Sequence, residues 1–141
     1  MIRPGGPALL VALGLAACGA TEPTGDPRLS FFNQAVFGFP TRATTVEDGG
    51  DRIVEVKGII VTPSVLQQIT GALTIEGPHQ LRLDVIGTRL ADGGDVETRF
   101  FYIGTISNLG RGDYSLAVYH IRVNRLAADS TLMFTGTISG N

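Results

Sequence analysis

The chain is poor in the residues that carry strong functional signals. Its 141 residues include one cysteine, two histidines, two methionines and no tryptophan. A single cysteine excludes an intramolecular disulfide, so in an oxidising compartment the fold must rest on its core. Lysine is almost missing: Lys57 stands beside ten arginines, and no run of basic residues occurs anywhere. With a formal net charge of −2 and no basic run, the sequence indicates no phosphate-neutralising surface, and no nucleic-acid partner is expected. No apolar run approaches the roughly twenty residues that a membrane-crossing helix needs. From Arg28 onward no window keeps the three-and-four spacing of an amphipathic helix.

Hydrophobic residues, by contrast, make up 43% of the chain and charged ones 17%, a balance that supports a packed core and argues against disorder. The length suits one domain. Nineteen glycines and seven prolines punctuate short stretches rich in Val, Ile, Thr, Phe and Tyr, as turns between strands require.

The amino terminus reads Met1-Ile2-Arg3, then Pro4-Gly5-Gly6-Pro7, then an uncharged apolar run from Ala8 to Ala17. That run is too short to span a bilayer and has the proportions of a secretory signal. It ends Leu15-Ala16-Ala17-Cys18, which resembles the lipobox of bacterial lipoproteins at all four positions. The resemblance implies cleavage between Ala17 and Cys18, with the Cys18 thiolate taking a diacylglyceryl group. Small side chains before the cysteine give the signal peptidase access to the bond. Two acyl chains suffice for stable anchoring, so the partner implied is the membrane, through a covalent lipid. Gly19 stands where an aspartate would retain such a protein at the inner membrane. In a host with two membranes, the outer membrane is the expected address.

Residues 1–17 are thus read as signal peptide, 18–27 as lipidated cysteine and tether, and 28–141 as the exported domain. The stretch Gly19 to Asp26 and Pro27 has no apolar periodicity and is rich in Gly, Pro and Thr, as a flexible tether is. Within the domain, Gln80-Leu81-Arg82-Leu83-Asp84-Val85 alternates with period two, and Arg52 to Thr62 puts Val54, Val56 and Ile60 on one face against Glu55 and Lys57. Further strands are predicted near Ser30–Phe37, Gln68–Ile75, Glu97–Ser107, Tyr114–Arg125 and Leu132–Ser139. In Tyr114–Arg125 the apolar positions change phase from Tyr114, Leu116 and Val118 to Ile121 and Val123, which predicts a bulge near Tyr119 or His120. About seven short strands without helices to make crossovers point to an all-β fold, an antiparallel β-sandwich.

The stretch Leu109 to Val118, read as Leu-x-x-Gly-x-Tyr-x-Leu-x-Val, resembles the penultimate hairpin of immunoglobulin-like and transthyretin-like (carboxypeptidase regulatory-like) sandwiches. The resemblance implies that Gly112 permits a turn, that Leu116 and Val118 enter the core, and that the Tyr114 hydroxyl ties its strand to the preceding loop. It implies no activity.

Sites other than Cys18 are weakly signalled. The tetrads Asp48-Gly49-Gly50-Asp51 and Asp92-Gly93-Gly94-Asp95 offer carboxylates beside flexible glycines, as calcium loops do. Each has only two carboxylates and no closing glutamate, and the turn reading of Asp48, Asp51, Asp92 and Asp95 is preferred. Arg111-Gly112-Asp113 spells an adhesion tripeptide but is explained by the turn it occupies. His79 and His120 lie in separate segments, so no zinc cluster is expected. Ser64, Ser107 and Ser115 lack a nucleophile elbow, and no enzyme or cofactor is expected. Phe100, Phe101 and Tyr102 are expected to be mainly core, while for Phe31, Phe32, Phe37 and Phe39 the sequence leaves core and an exposed binding patch equally open. The expected role is a lipid-anchored binding or structural module of the cell envelope with a protein partner there. A binder of a small ligand such as a sugar, a lipid or calcium is the alternative.

Overall fold

A computed structural model describes residues 26–38, 40–124 and 127–139. The segment read as a signal peptide, with Ala17 and Cys18, most of the expected tether and Phe39 lie outside the described residues. The described chain is all-β, with eight strands and no helix among the described residues: β1 (Arg28–Val36), β2 (Thr45–Gly50), β3 (Ile53–Thr62), β4 (Gln67–Gly77), β5 (Gln80–Arg89), β6 (Thr98–Ser107), β7 (Asp113–Asn124) and β8 (Ala127–Ser139).

The strands form two four-stranded sheets, one in the order β1-β6-β3-β2 and the other β4-β5-β7-β8. Period-two alternation explains why they face each other. In β3, Val54, Val56 and Ile60 are buried; in β5, Leu81, Leu83 and Val85; in β6, Phe100, Tyr102 and Ile106; in β7, Tyr114, Leu116 and Val118. Those inward rows make one core between the sheets. The arrangement is an open sandwich with four edge strands.

Three expectations need correction. β2 is an eighth strand beyond the seven expected: only Thr45 to Gly50 pair with β3, too few residues for alternation to stand out. The sandwich is not purely antiparallel, because β5 and β7 run parallel, Leu81 opposite Leu116 and Val85 opposite His120. A parallel pair needs a crossover connection, most often a helix. Here β6, lying in the opposite sheet, carries the chain back between β5 and β7. Finally, the register break in the β7–β8 pair does fall between Val118 and Tyr119, but Met133 of β8 is the extra residue. The inward row of β7 continues to buried His120, and Ile121 and Val123 point outward. A buried polar side chain had mimicked a change of phase.

Strand directions give the sandwich two distinct ends. The amino-terminal end holds the start of β1, the β2–β3 and β4–β5 turns, the β6–β7 connection and the end of β8. The distal end holds the segment after β1, the β3–β4 and β5–β6 loops and the β7–β8 hairpin. About ten residues of strand separate the ends, roughly 30 Å at 3.3 Å per residue.

Candidate functional site

The distal end is built from loops tied together by polar side chains. Ser64, fully buried, donates from Oγ to the Gly93 carbonyl (3.2 Å) and accepts from the Leu66 amide (3.0 Å). The single Thr62 hydroxyl proton is shared between the carbonyls of Ser64 (2.9 Å) and Thr98 (3.2 Å). Backbone bonds add to this, Val65 N–H to Gly94 O at 3.0 Å and Leu90 N–H to Leu66 O at 2.9 Å. Arg89 donates to the carbonyls of Ala91 and Gly93 and to the Asp95 carboxylate. Gly94 sits at φ +61°, and a Cβ there would lie 3.0 Å from both Val65 and Leu66. Only glycine lets the two loops approach so closely.

This frame holds apolar side chains out in solvent. Phe37 is 95% exposed, Leu90 64%, Val96 62% and Val65 47%. Beside them opens an apolar cleft of about 650 Å³, lined chiefly by Ala35, Val36, Phe37, Val65, Val96 and Phe100, with Glu97 and Arg99 supplying charge. A second cleft of about 630 Å³ shares Glu97 and is more polar, with Arg122, Asn124 and Asp129 on its walls. Arg122 there bonds Asp129 at 3.0 Å and the Val61 carbonyl of the opposite sheet at 3.2 Å. Phe37, Val65 and Val96 are thus both exposed and on the walls of the apolar cleft.

The residues singled out in the sequence are scattered instead. The tetrad Asp48 to Asp51 makes the β2–β3 turn at the amino-terminal end, where Asp48 Oδ1 accepts from the Gly50 amide at 2.8 Å and Asp51 adopts φ 51°. The tetrad Asp92 to Asp95 lies in the β5–β6 loop at the distal end, with Asp95 engaged by Arg89. The two tetrads therefore cannot share an ion. Among the described residues no three His, Cys, Asp or Glu side chains converge as metal ligands. Arg111 to Asp113 form an exposed corner at the amino-terminal end, and Gly112 has φ 100°. The Tyr114 hydroxyl accepts from the Gly110 amide at 2.8 Å, so the expected tie exists. It secures a corner between the two sheets and not the expected hairpin, because β6 and β7 belong to different sheets.

His79 lies in the β4–β5 turn, and its ring packs against Tyr114 at a 31° tilt, with ring centroids 4.3 Å apart. His120 is 3% exposed, and its Nε2 lies 2.7 Å from the Tyr102 hydroxyl, which also approaches Thr44 at 3.4 Å. Burial, with the nearby Arg122 charge second, pushes the His120 pKa down to about 4. Burial pushes Tyr102 up to about 12, against the opposing effect of its Thr44 hydrogen bond. Room for the hydroxyl comes from Gly58, where a Cβ would sit 2.6 Å from it. Both rings stay neutral near pH 7 and serve as a buried polar tie between the sheets. Of the aromatic groups, Phe100 and Tyr102 are core, Phe101 faces outward under Arg42, Phe31 packs inward and Phe32 is exposed.

No family model matches the chain, and neither does any curated protein or solved structure.

Proposed function

We propose that this protein is a lipid-anchored lipoprotein of the cell envelope whose sandwich presents the distal apolar cleft to a partner protein. The supporting observation is the placement of the cleft. The chain enters β1 at the opposite end, where Asn108 Nδ2 donates to the Asp26 carbonyl at 2.9 Å. A lipid on Cys18 would keep that end nearest the membrane and turn the cleft toward the envelope space. In a two-membrane host, the outer membrane remains the proposed address, with no enzymatic activity and no cofactor.

The anchor is tested by Cys18→Ser in cells fed labelled palmitate: the variant accumulates as uncleaved precursor and takes up no label. Normal maturation of the variant would refute the anchor. The partner reading is tested by placing a photo-crosslinking residue at Val96 and comparing it with one at Asp51. Val96 captures an envelope protein and Asp51 does not. The cleft volume also falls within the range of small-ligand sites, about 300–1,000 Å³. Thermal stabilisation by a fatty acid or sugar, with no protein captured at Val96, would favour that second reading.

A further inference from the structure

The second distal cleft, of about 630 Å³, differs chemically from the apolar one. Its walls come from both sheets: Val61 and Pro63 stand at the end of β3, Glu97 precedes β6, and Arg122, Asn124 and Asp129 belong to the β7–β8 hairpin. The Arg122 guanidinium holds these walls in place, with Nε donating to Asp129 (3.0 Å), Nη1 to the Val61 carbonyl (3.2 Å) and Nη2 to the Thr131 hydroxyl (3.4 Å). Hydrogen-bonding capacity is left over. A guanidinium carries five N–H groups, and these bonds use three. Among the described residues, Asp129 Oδ2 and Glu97 Oε2 accept no hydrogen bond, and the exposed Asn124 amide makes none. Charge, by contrast, is balanced inside the site: Arg122 pairs with Asp129 at 3.0 Å, and Glu97 with Arg99 at 3.4 Å.

We propose that this cleft binds an uncharged saccharide. A sugar hydroxyl donates and accepts at once, so neighbouring hydroxyls on one pyranose ring can bridge a half-used carboxylate and a half-used guanidinium or amide. The C–H face of the ring covers Val61, Pro63 and Ala128, which removes apolar surface from water. A ligand of net charge would have to displace one of the internal ion pairs or be buried without a partner, and both cost free energy. A purely apolar ligand would leave the unused donors and acceptors desolvated and unpaired. The site does not rest on the partner reading of the neighbouring cleft; among their described lining residues the two share only Glu97.

The core lies wholly between Leu29 and Ile138, so a chain beginning at Gly19 carries the fold and suits the test. Its amide NMR spectrum is recorded during titration with maltotriose, cellotriose and triacetylchitotriose. At least one of these neutral sugars is expected to shift the amides of Val61, Asn124, Ala128 and Asp129, with a dissociation constant of about 1 mM. Trigalacturonate, which is charged, should bind more weakly. Asn124→Ala combined with Asp129→Ala removes exposed groups outside the core, so it should weaken binding at least tenfold and leave the melting temperature in place. Val96→Asp, in the apolar cleft, should leave sugar binding unchanged, which separates this site from the partner surface. No shift with any of the neutral sugars up to about 50 mM, equal or tighter binding of trigalacturonate, or undiminished affinity in the double variant would overturn the proposal.

Discussion

His120 is the residue whose burial has the clearest thermodynamic consequence. An unfolded histidine titrates near 6.5, while the folded ring is held at about 4. Between those values the unfolded chain holds a proton that the folded chain lacks, so stability falls as pH drops from about 6.5 to 4 and is unaffected by this group above that window. The shift is worth about 3 kcal/mol when fully expressed. Urea unfolding at pH 4, 5, 6 and 7 is expected to show that slope, and His120→Gln, which retains a polar partner for Tyr102, should flatten it. Parallel pH profiles in the two proteins would dismiss His120 as the cause. No periodicity argument could have found this pair, because a polar residue on the inward row of a strand looks like a break in the row.

At the scale of elements, legibility followed alternation. β3, β5 and the inward half of β7 could be read directly, since Val54, Val56, Leu81, Leu83 and Leu116 recur every second residue. β2 could not, because its one half-buried apolar residue, Val46, has no companion at the required spacing. The parallel pairing of β5 with β7 is decided by contacts between strands far apart in the chain, which local pattern does not encode. The distal cleft was equally hidden: Val65, Leu90 and Val96 lie in loops, where apolar residues carry no period. The corner at Tyr114 was legible because its turn chemistry is local. Tyr114→Phe leaves the ring in place and strips the Gly110 amide of its acceptor, so a loss of about 1–2 kcal/mol in urea unfolding is expected. An unchanged midpoint would mean that water replaces the hydroxyl without cost.

For the whole molecule, orientation is the measurable quantity. With a lipid on Cys18 and the protein reconstituted in vesicles, a fluorophore on Asp51→Cys should be quenched by headgroup-borne quenchers, and one on Val96→Cys should not. Equal quenching would mean that the sandwich lies flat on the bilayer, with its cleft against the lipid. The contrast is large because the two positions stand at opposite ends of strands about 30 Å long.

The strand that crosses between β5 and β7 has a consequence for how the protein reaches its native state. Neither sheet is drawn from a continuous stretch of chain: the first waits for β6, and the second cannot seat β7 beside β5 until β6 has crossed over. A chain threaded across a membrane from its amino terminus would therefore hold β4 and β5 with an open flank until the last third had emerged. Such long-range pairing makes folding slow and leaves apolar strand surface uncovered meanwhile. Folding is thus expected to be all-or-none, with no half of the chain stable alone, and the emerging segment is the stage most vulnerable to proteolysis or aggregation.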